Sequence, residues 1–486
     1  MSLKDDILDG VAWKTVARVF GQVVYFGFNV LLARLLTPEA FGVFGMILIF
    51  TGFAKTFGRM GFGAALIQRK EITEAHRSSV FWLNIGIGLL LGGIIASLAP
   101  AIAWFFDEPS LLYLTPVVAL NFPLFSLVIV QRSIMNRDMD FRALAIVETT
   151  GITLSGALGV WMAFADYGVW SLVGKTLSAT AIEAAVLWVI SNWRPRWMFD
   201  LEAVKELFNF SFHTFGFEAY NYWAGKGDDL LVGRFIGAAA LGVYTRAYST
   251  MLLPVHQITN VLTKVMFPAL SKIQGEVERV RDLYLRAVRA IGLVEIPLMM
   301  ILFVVADALV PALFGSHWNE VIPVLRILCV AGIILPIAST VGWIFKSQGR
   351  ADWQFRWGLF GTTVTLGANV LGVLYGTIEA VALSYVIAKC VLVPGSYYFA
   401  GKLIDMKFWE PAVAVREVFM CSLLAASGSW LLDWYAASAW SMWPQLGAEV
   451  AVGVAIYVAL VVGLRLDAYV DLRDQLVHKF PSLGSD

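Results

Sequence analysis

Basic side chains stand where a membrane segment should hold none. Lys14 and Arg18, four residues apart, share one face of a long apolar stretch, and Lys55 and Arg59 repeat that spacing in the next. Lys175, Arg246, Arg326 and Lys389 lie inside further apolar runs, and His256 and Lys264 follow Arg246 along the same one. A charge at the bilayer centre costs about 2.5–3.5 kcal/mol on insertion scales, so such residues mark a water-filled path, a partner or a ligand. Acids in comparable positions are fewer: Glu148, Glu183, Glu218 and Glu295. The intramembrane charge is therefore net basic, which suits an anionic substrate. Arg18, Lys55, Arg59 and Arg246 have no obvious local acid and are the first candidates to touch it, with Lys175 and Lys389 next.

Each of these has a plainer reading beside the functional one. Lys14 and Lys264 lie close enough to segment ends to snorkel to the surface, and Arg34 and Arg234 are expected at external helix ends. Lys226, Asp228, Asp229 and Arg234 fall within one segment. They are expected to form a charge cluster at its outer end, with Asp229 paired to Arg234, that steadies one conformation of a carrier. Tyr220, Tyr222 and Trp223 beside them could stack on sugar rings, although aromatic residues in membrane helices more often pack or anchor.

The elements that must position these groups follow from composition. Of 486 residues, 59% are hydrophobic and 15% charged, against about 25% charged in a soluble domain. Mean hydropathy is +0.72. The 36 basic and 36 acidic residues balance, so no global charge points to nucleic acid. The three cysteines and five histidines show no metal-ligand or disulfide spacing, and no nucleotide-binding motif occurs; neither a metal nor a cofactor is expected. The first apolar stretch contains Lys14, Arg18 and Gln22 and reads as a membrane span, not as a signal peptide.

About fourteen segments reach the roughly 20 apolar residues of a spanning helix, the first near 10–34 and the last near 450–466. Loops 68–77, 131–142, 191–206, 271–289, 345–356 and 401–416 all carry Lys or Arg. The intervening loops 35–40, 105–111, 164–169, 235–240, 306–320, 375–380 and 433–449 carry none. Under the positive-inside rule this alternation places both termini in the cytoplasm.

The chain also repeats itself. Shifted by 214, Arg132, Ser133, Asp138, Phe141 and Arg142 fall on Lys346, Ser347, Asp352, Phe355 and Arg356, and Lys175 falls on Lys389. Shifted by 200, Arg34 falls on Arg234, and Gly42, Val43 and Phe44 on Gly242, Val243 and Tyr244. Both shifts relate span n to span n+6, which gives two copies of like orientation, one of the repeat types of secondary transporters. The expected architecture is an all-α integral membrane protein with two six-helix lobes, 1–205 and 206–402, around a central cavity. Two peripheral helices over 403–467 and a cytoplasmic tail over 468–486 follow.

The runs GAALIQRKEITEAHRSSVFWLN (63–84), RSIMNRDMDFRALAIVE (132–148), DDLLVGRFIGAAALGVYTRAY (228–248) and VMFPALSKIQ (265–274) resemble the bacterial polysaccharide transporter family. Within it they look most like oligosaccharide flippases of the colanic-acid exporter type, in the multidrug/oligosaccharidyl-lipid/polysaccharide superfamily. The resemblance covers roughly residues 1–400. It implies two six-helix bundles with two peripheral helices, and a basic cavity between the lobes. It implies a polyprenyl-diphosphate-linked glycan, carried from the cytoplasmic to the periplasmic leaflet of the bacterial inner membrane for exopolysaccharide, capsule or O-antigen synthesis. Membrane lipids and polysaccharide polymerase or export machinery would be its partners. A multidrug exporter of the same superfamily is the alternative, and the basic interior argues against cationic drugs. A membrane glycosyltransferase would need catalytic groups in sizeable external loops, and most of those here are too short for an active site.

Overall fold

The computed structural model describes residues 3–59, 63, 66–67, 72–202, 205, 222–223, 225–436, 440–471 and 473, with side chains described outside 3–18, 54–59, 256–261 and 436. Every regular element among the described residues is helical. The order begins α1 (Leu3–Leu35), α2 (Pro38–Arg59), α3 (Glu74–Ser97), α4 (Ala99–Phe106), α5 (Leu111–Ala119), α6 (Asn121–Arg137), α7 (Phe141–Phe164), α8 (Trp170–Ile190) and α9 (Gly227–Phe235). It continues with α10 (Ala238–Lys272), α11 (Val277–Phe314), a 3-10 turn (Ser316–Trp318), α12 (Val321–Ser339), α13 (Val341–Ser347), α14 (Ala351–Leu374), α15 (Ile378–Gly401), α16 (Glu410–Ala436) and α17 (Met442–Gly463).

Among the described residues, ten helical stretches are long and apolar enough to cross a membrane, counting α5 with α6 and α12 with α13 as one each; Val19–Leu35 and Pro38–Phe53 are shorter apolar stretches. The expected first, second and eighth spans fall on α1, α2 and α10, and most of the seventh lies outside the described residues.

Local chemistry sets the helix ends. Thr37 Oγ1 accepts the Ala40 N–H at 3.3 Å while Pro38 opens α2, where its missing N–H removes nothing. Asp140 caps α7 through the Ala143 N–H at 3.0 Å. The break between α5 and α6 at Leu120 follows from Pro123, which has no N–H to give the carbonyl of Ala119. Asp107 (φ 55°) and Asp166 (φ 59°) turn the chain after α4 and α7 in the left-handed region, which aspartate tolerates better than most residues. Both sit in loops without Lys or Arg.

The chain divides into two compact units, Met1–Gly242 and Val243–Asp486. The division falls inside α10, beyond residue 205, because α9 packs on α2 and α4 of the first unit. In that unit α7 packs on α1 and α8, and α6 on α3 and α8. In the second, α11 packs on α12, α16 and α17, α15 packs on α12 and α14, and α16 on α17. Tyr284, Ile291, Ile296, Ile344 and Ile404 belong to its buried core. Lipid tails are as apolar as leucine, so close backbone approach holds such helices together. At Gly372 a Cβ would lie 2.8 Å from Val381 Cα and 2.9 Å from the Ala380 carbonyl oxygen, so glycine lets α14 and α15 touch.

Candidate functional site

Two repeat-related lysines are held in the same way, one in each unit. In the first, α8 presents Lys175 to α1: its Nζ donates to Asn29 Oδ1 at 3.2 Å and lies 5.1 Å from the centre of the Tyr25 ring. Asn29 Nδ2 donates to the Tyr25 carbonyl at 2.7 Å, which fixes the amide so that its oxygen meets the lysine. In the second unit, Lys389 Nζ donates to Thr365 Oγ1 at 3.2 Å and lies 5.0 Å from the Tyr385 ring. Thr365 donates its own proton to the Gly361 carbonyl at 2.7 Å, leaving a lone pair for the lysine. A neutral oxygen and an aromatic face orient each ammonium without themselves cancelling its charge.

Arg246 of α10 is half-buried, with its guanidinium 5.0 Å from the Phe314 ring and 5.1 Å from the Trp318 ring. Trp318 is fully buried and is set there by the 3-10 turn after Gly315, whose φ is 96°. A guanidinium set between two aromatic rings is held by cation–π attraction, for which Arg is the commoner partner.

The expected charge cluster pairs differently from the expectation. Lys226 Nζ donates to Asp229 Oδ2 at 2.6 Å, and Asp228 Oδ1 accepts the Asp229 N–H at 3.0 Å. Asp228 and Asp229 are buried in the first turn of α9, where the helix dipole favours negative charge. Arg234 lies in the last turn, over the rings of Phe105 (5.7 Å) and Phe235 (6.0 Å). Asp229 therefore meets Lys226, three residues back, and not Arg234, five residues on and turned away around the helix. Nearby, the Tyr222 hydroxyl lies 3.0 Å from the Leu48 carbonyl oxygen and 2.8 Å from that of Ile49 on α2, within reach of donating to either. Gly52 leaves the space for that hydroxyl. Phe53 packs on Tyr222 and Trp223 with ring centres 5.7 and 5.2 Å apart.

Removing one partner of the Lys226–Asp229 pair leaves a charge that removing both does not. Lys226 is 39% exposed, so solvent screening limits the effect. Lys226→Met should destabilise the detergent-solubilised protein by about 1 kcal/mol. Lys226→Met with Asp229→Asn should melt closer to the parent than Lys226→Met alone. Losses that simply add would rule out the pair.

Backbones of Arg18, Lys55 and Arg59 belong to α1 and α2, while their side chains lie outside the described residues, as does Glu218. Arg132 is 3.0 Å from both Glu148 and Glu183, tying α6, α7 and α8 together. Arg326 meets Asp307 at 2.5 Å. Asp307 was expected in a loop, but α11 runs on to Phe314 and carries it. Asn29, Tyr25, Thr365 and Tyr385, which hold the lysines, carry no formal charge; the shared spacing of Lys175 and Lys389 was the signal that could have led to them.

The start of α2 meets the start of α10 in a reciprocal contact. A Cβ on Gly42 would strike the Ala238 carbonyl, and one on Gly242 would strike the Pro38 carbonyl. A shift of 200 turns Pro38 into Ala238 and Gly42 into Gly242, so it turns one contact into the other. Both glycines are buried. Each helix thus sets the glycine of its second turn against a carbonyl of its counterpart's first turn, the close backbone approach of packed membrane helix pairs.

The family described as polysaccharide biosynthesis protein matches residues 31–323. The teichuronic acid biosynthesis protein TuaB of Bacillus subtilis (strain 168) is 28% identical over 396 residues, 80% of this chain and 81% of TuaB. The succinoglycan biosynthesis transport protein ExoT of Rhizobium meliloti (strain 1021) is 26% identical over 455 residues, 93% of this chain and 92% of ExoT. Among solved structures, the lipid II flippase MurJ in its inward closed conformation superposes with a TM-score of 0.75 at 16% identity, over 93% of this chain and 98% of MurJ. That likeness is one of fold.

Proposed function

We infer the function of this chain from one premise: it belongs to the polysaccharide biosynthesis protein family, as a multi-pass helical membrane protein. It is a flippase, not an enzyme, and it turns a polyprenyl-diphosphate-linked oligosaccharide from the cytoplasmic to the periplasmic leaflet of the bacterial inner membrane. Both termini are cytoplasmic. The two copies of the repeat expose the substrate to one leaflet and then the other, with 403–467 at the periphery. Arg18, Lys55, Arg59, Lys175, Arg246 and Lys389 receive the diphosphate and any anionic sugars, and the Lys226–Asp229 pair steadies one conformation.

The observation that carries this reading is the matched pair Lys175 and Lys389, intramembrane cations oriented by neutral oxygens and rings in both copies of the repeat. The names of relatives agree with it: ExoT is a transport protein of succinoglycan biosynthesis, and MurJ is a lipid II flippase. A diphosphate head bears about two negative charges, and each gains about 2.3 kcal/mol per 100 mV on leaving an electrically negative cytoplasm. Outward movement is thus downhill without ATP, and fixed cations replace the water around the diphosphate. Deleting the gene should make a lipid-linked glycan accumulate in the cytoplasmic leaflet while the finished polysaccharide disappears. Loss of polysaccharide with no such accumulation would reject the assignment.

A further inference from the structure

A cleft of about 670 Å³ opens along α14 and α15, lined by Trp353, Arg356, Trp357, Phe360 and Phe399. The Trp357 ring centre is 5.1 Å from that of Phe399 and 5.4 Å from that of Phe360, and Trp353 lies 6.2 Å from Phe399. Gly395 makes room for this wall, since a Cβ there would lie 2.5 Å from the Trp357 ring. On the same two helices Phe355, Leu359 and Val391 are also exposed and apolar. That surface suits hydrocarbon and not a watery path.

The repeat shows that the fold does not demand these rings. Shifted back by 214, Trp353, Trp357, Phe360 and Phe399 become Met139, Ala143, Ile146 and Ala185, and Gly395 becomes Ala181. Arg356 alone stays basic, as Arg142. The same helix pair, α7 with α8, is thus built in the first unit without an aromatic wall. Trp and Tyr anchors are general at membrane interfaces. A cluster confined to one copy, lining a cleft and admitted by a glycine, is more particular.

Charge at the mouth selects the head of the occupant. Arg350 donates to both carboxylate oxygens of Asp352, at 3.1 and 3.2 Å, and stacks 4.2 Å over Trp353. Arg356 acts electrostatically on Asp352, one turn back, but forms no salt bridge among the described residues, and the hydrogen bonds of that carboxylate come from Arg350. Lys346 and Lys402 stand at neighbouring helix ends. One guanidinium matches the single charge of a phosphodiester better than the two of a diphosphate, and the basic surround favours a head with no compensating amine. We propose that this cleft binds an anionic phospholipid of the bilayer, one chain against the rings and its phosphate on Arg356.

Native mass spectrometry of the full chain tests this with phosphatidylglycerol, phosphatidylcholine and a polyprenyl diphosphate as separate probes. Arg356→Gln should weaken phosphatidylglycerol binding about fivefold, the share of one basic residue at a membrane surface, and weaken phosphatidylcholine binding less, because choline already offsets its phosphate. Trp357→Ala should weaken both. Arg142→Gln, the counterpart in the first copy, should weaken neither. Arg356 is exposed, and the melting temperature of its variant is the control for folding. Equal phosphatidylglycerol binding by the parent and Arg356→Gln would reduce the rings to interface anchors and overturn the site. Loss of polyprenyl diphosphate binding alone would overturn the occupant, making the groove part of the substrate path.

Discussion

Gly42→Leu and Gly242→Leu should each reduce polysaccharide export, from several-fold to more than a hundredfold, in cells that still contain folded protein. At both positions the added Cβ meets a backbone carbonyl, of Ala238 in one case and of Pro38 in the other. Backbone cannot turn aside as a flexible side chain can, so the helices must separate. Overpacking of this kind costs about 1–3 kcal/mol. A bistable carrier loses the conformation that needs the contact by the corresponding factor, from several-fold to more than a hundredfold. The contact is reciprocal under the repeat, so the two variants should behave alike. Export is the readout, with abundance and gel-filtration profile as controls. One inactive and one fully active variant would show that the two glycines do not share a role.

Removing the cations should do comparable damage. A hydrogen bond to a charged group contributes about 1.5–3 kcal/mol, or roughly ten- to a hundredfold in affinity per contact. Arg18→Ala, Lys55→Ala, Arg59→Ala and Arg246→Ala should each lower export by about that factor at unchanged abundance. Arg246→Lys separates charge from shape: it keeps the positive charge but loses the planar guanidinium set beside Phe314 and Trp318, so its activity should fall between parent and Ala. Four fully active Ala variants would remove these residues from the substrate path. Loss of folded protein would assign them to the scaffold.

The membrane class, the all-helical architecture and the family were legible because they rest on long-range statistics: hydropathy, the Lys and Arg of alternate loops, and the runs around 63–84 and 132–148. Partner choice was less legible. Arg132 takes Glu148 and Glu183 from two other helices, a match that helix packing decides and spacing along the chain does not. Asp229 had two bases within reach in sequence, and the direction of side chains around one turn of α9 selects Lys226. The extent of α11 was read short at both ends, because Arg279, Arg281 and Asp307 look like loop residues in a hydropathy window although they continue a helix. Gly42 and Gly242 stood out as a repeated motif, but only the fold shows that each is cut to fit the other's helix.

The most direct measurement uses the purified chain in proteoliposomes with a labelled polyprenyl-diphosphate-linked oligosaccharide on one leaflet. Flipping should be faster than in protein-free vesicles, and a valinomycin-set potential, negative on the side the glycan leaves, should speed it further. A rate equal to that of protein-free vesicles would contradict the flippase assignment. A rate that ignores the potential but follows a proton or sodium gradient would contradict movement of the diphosphate driven by its own charge.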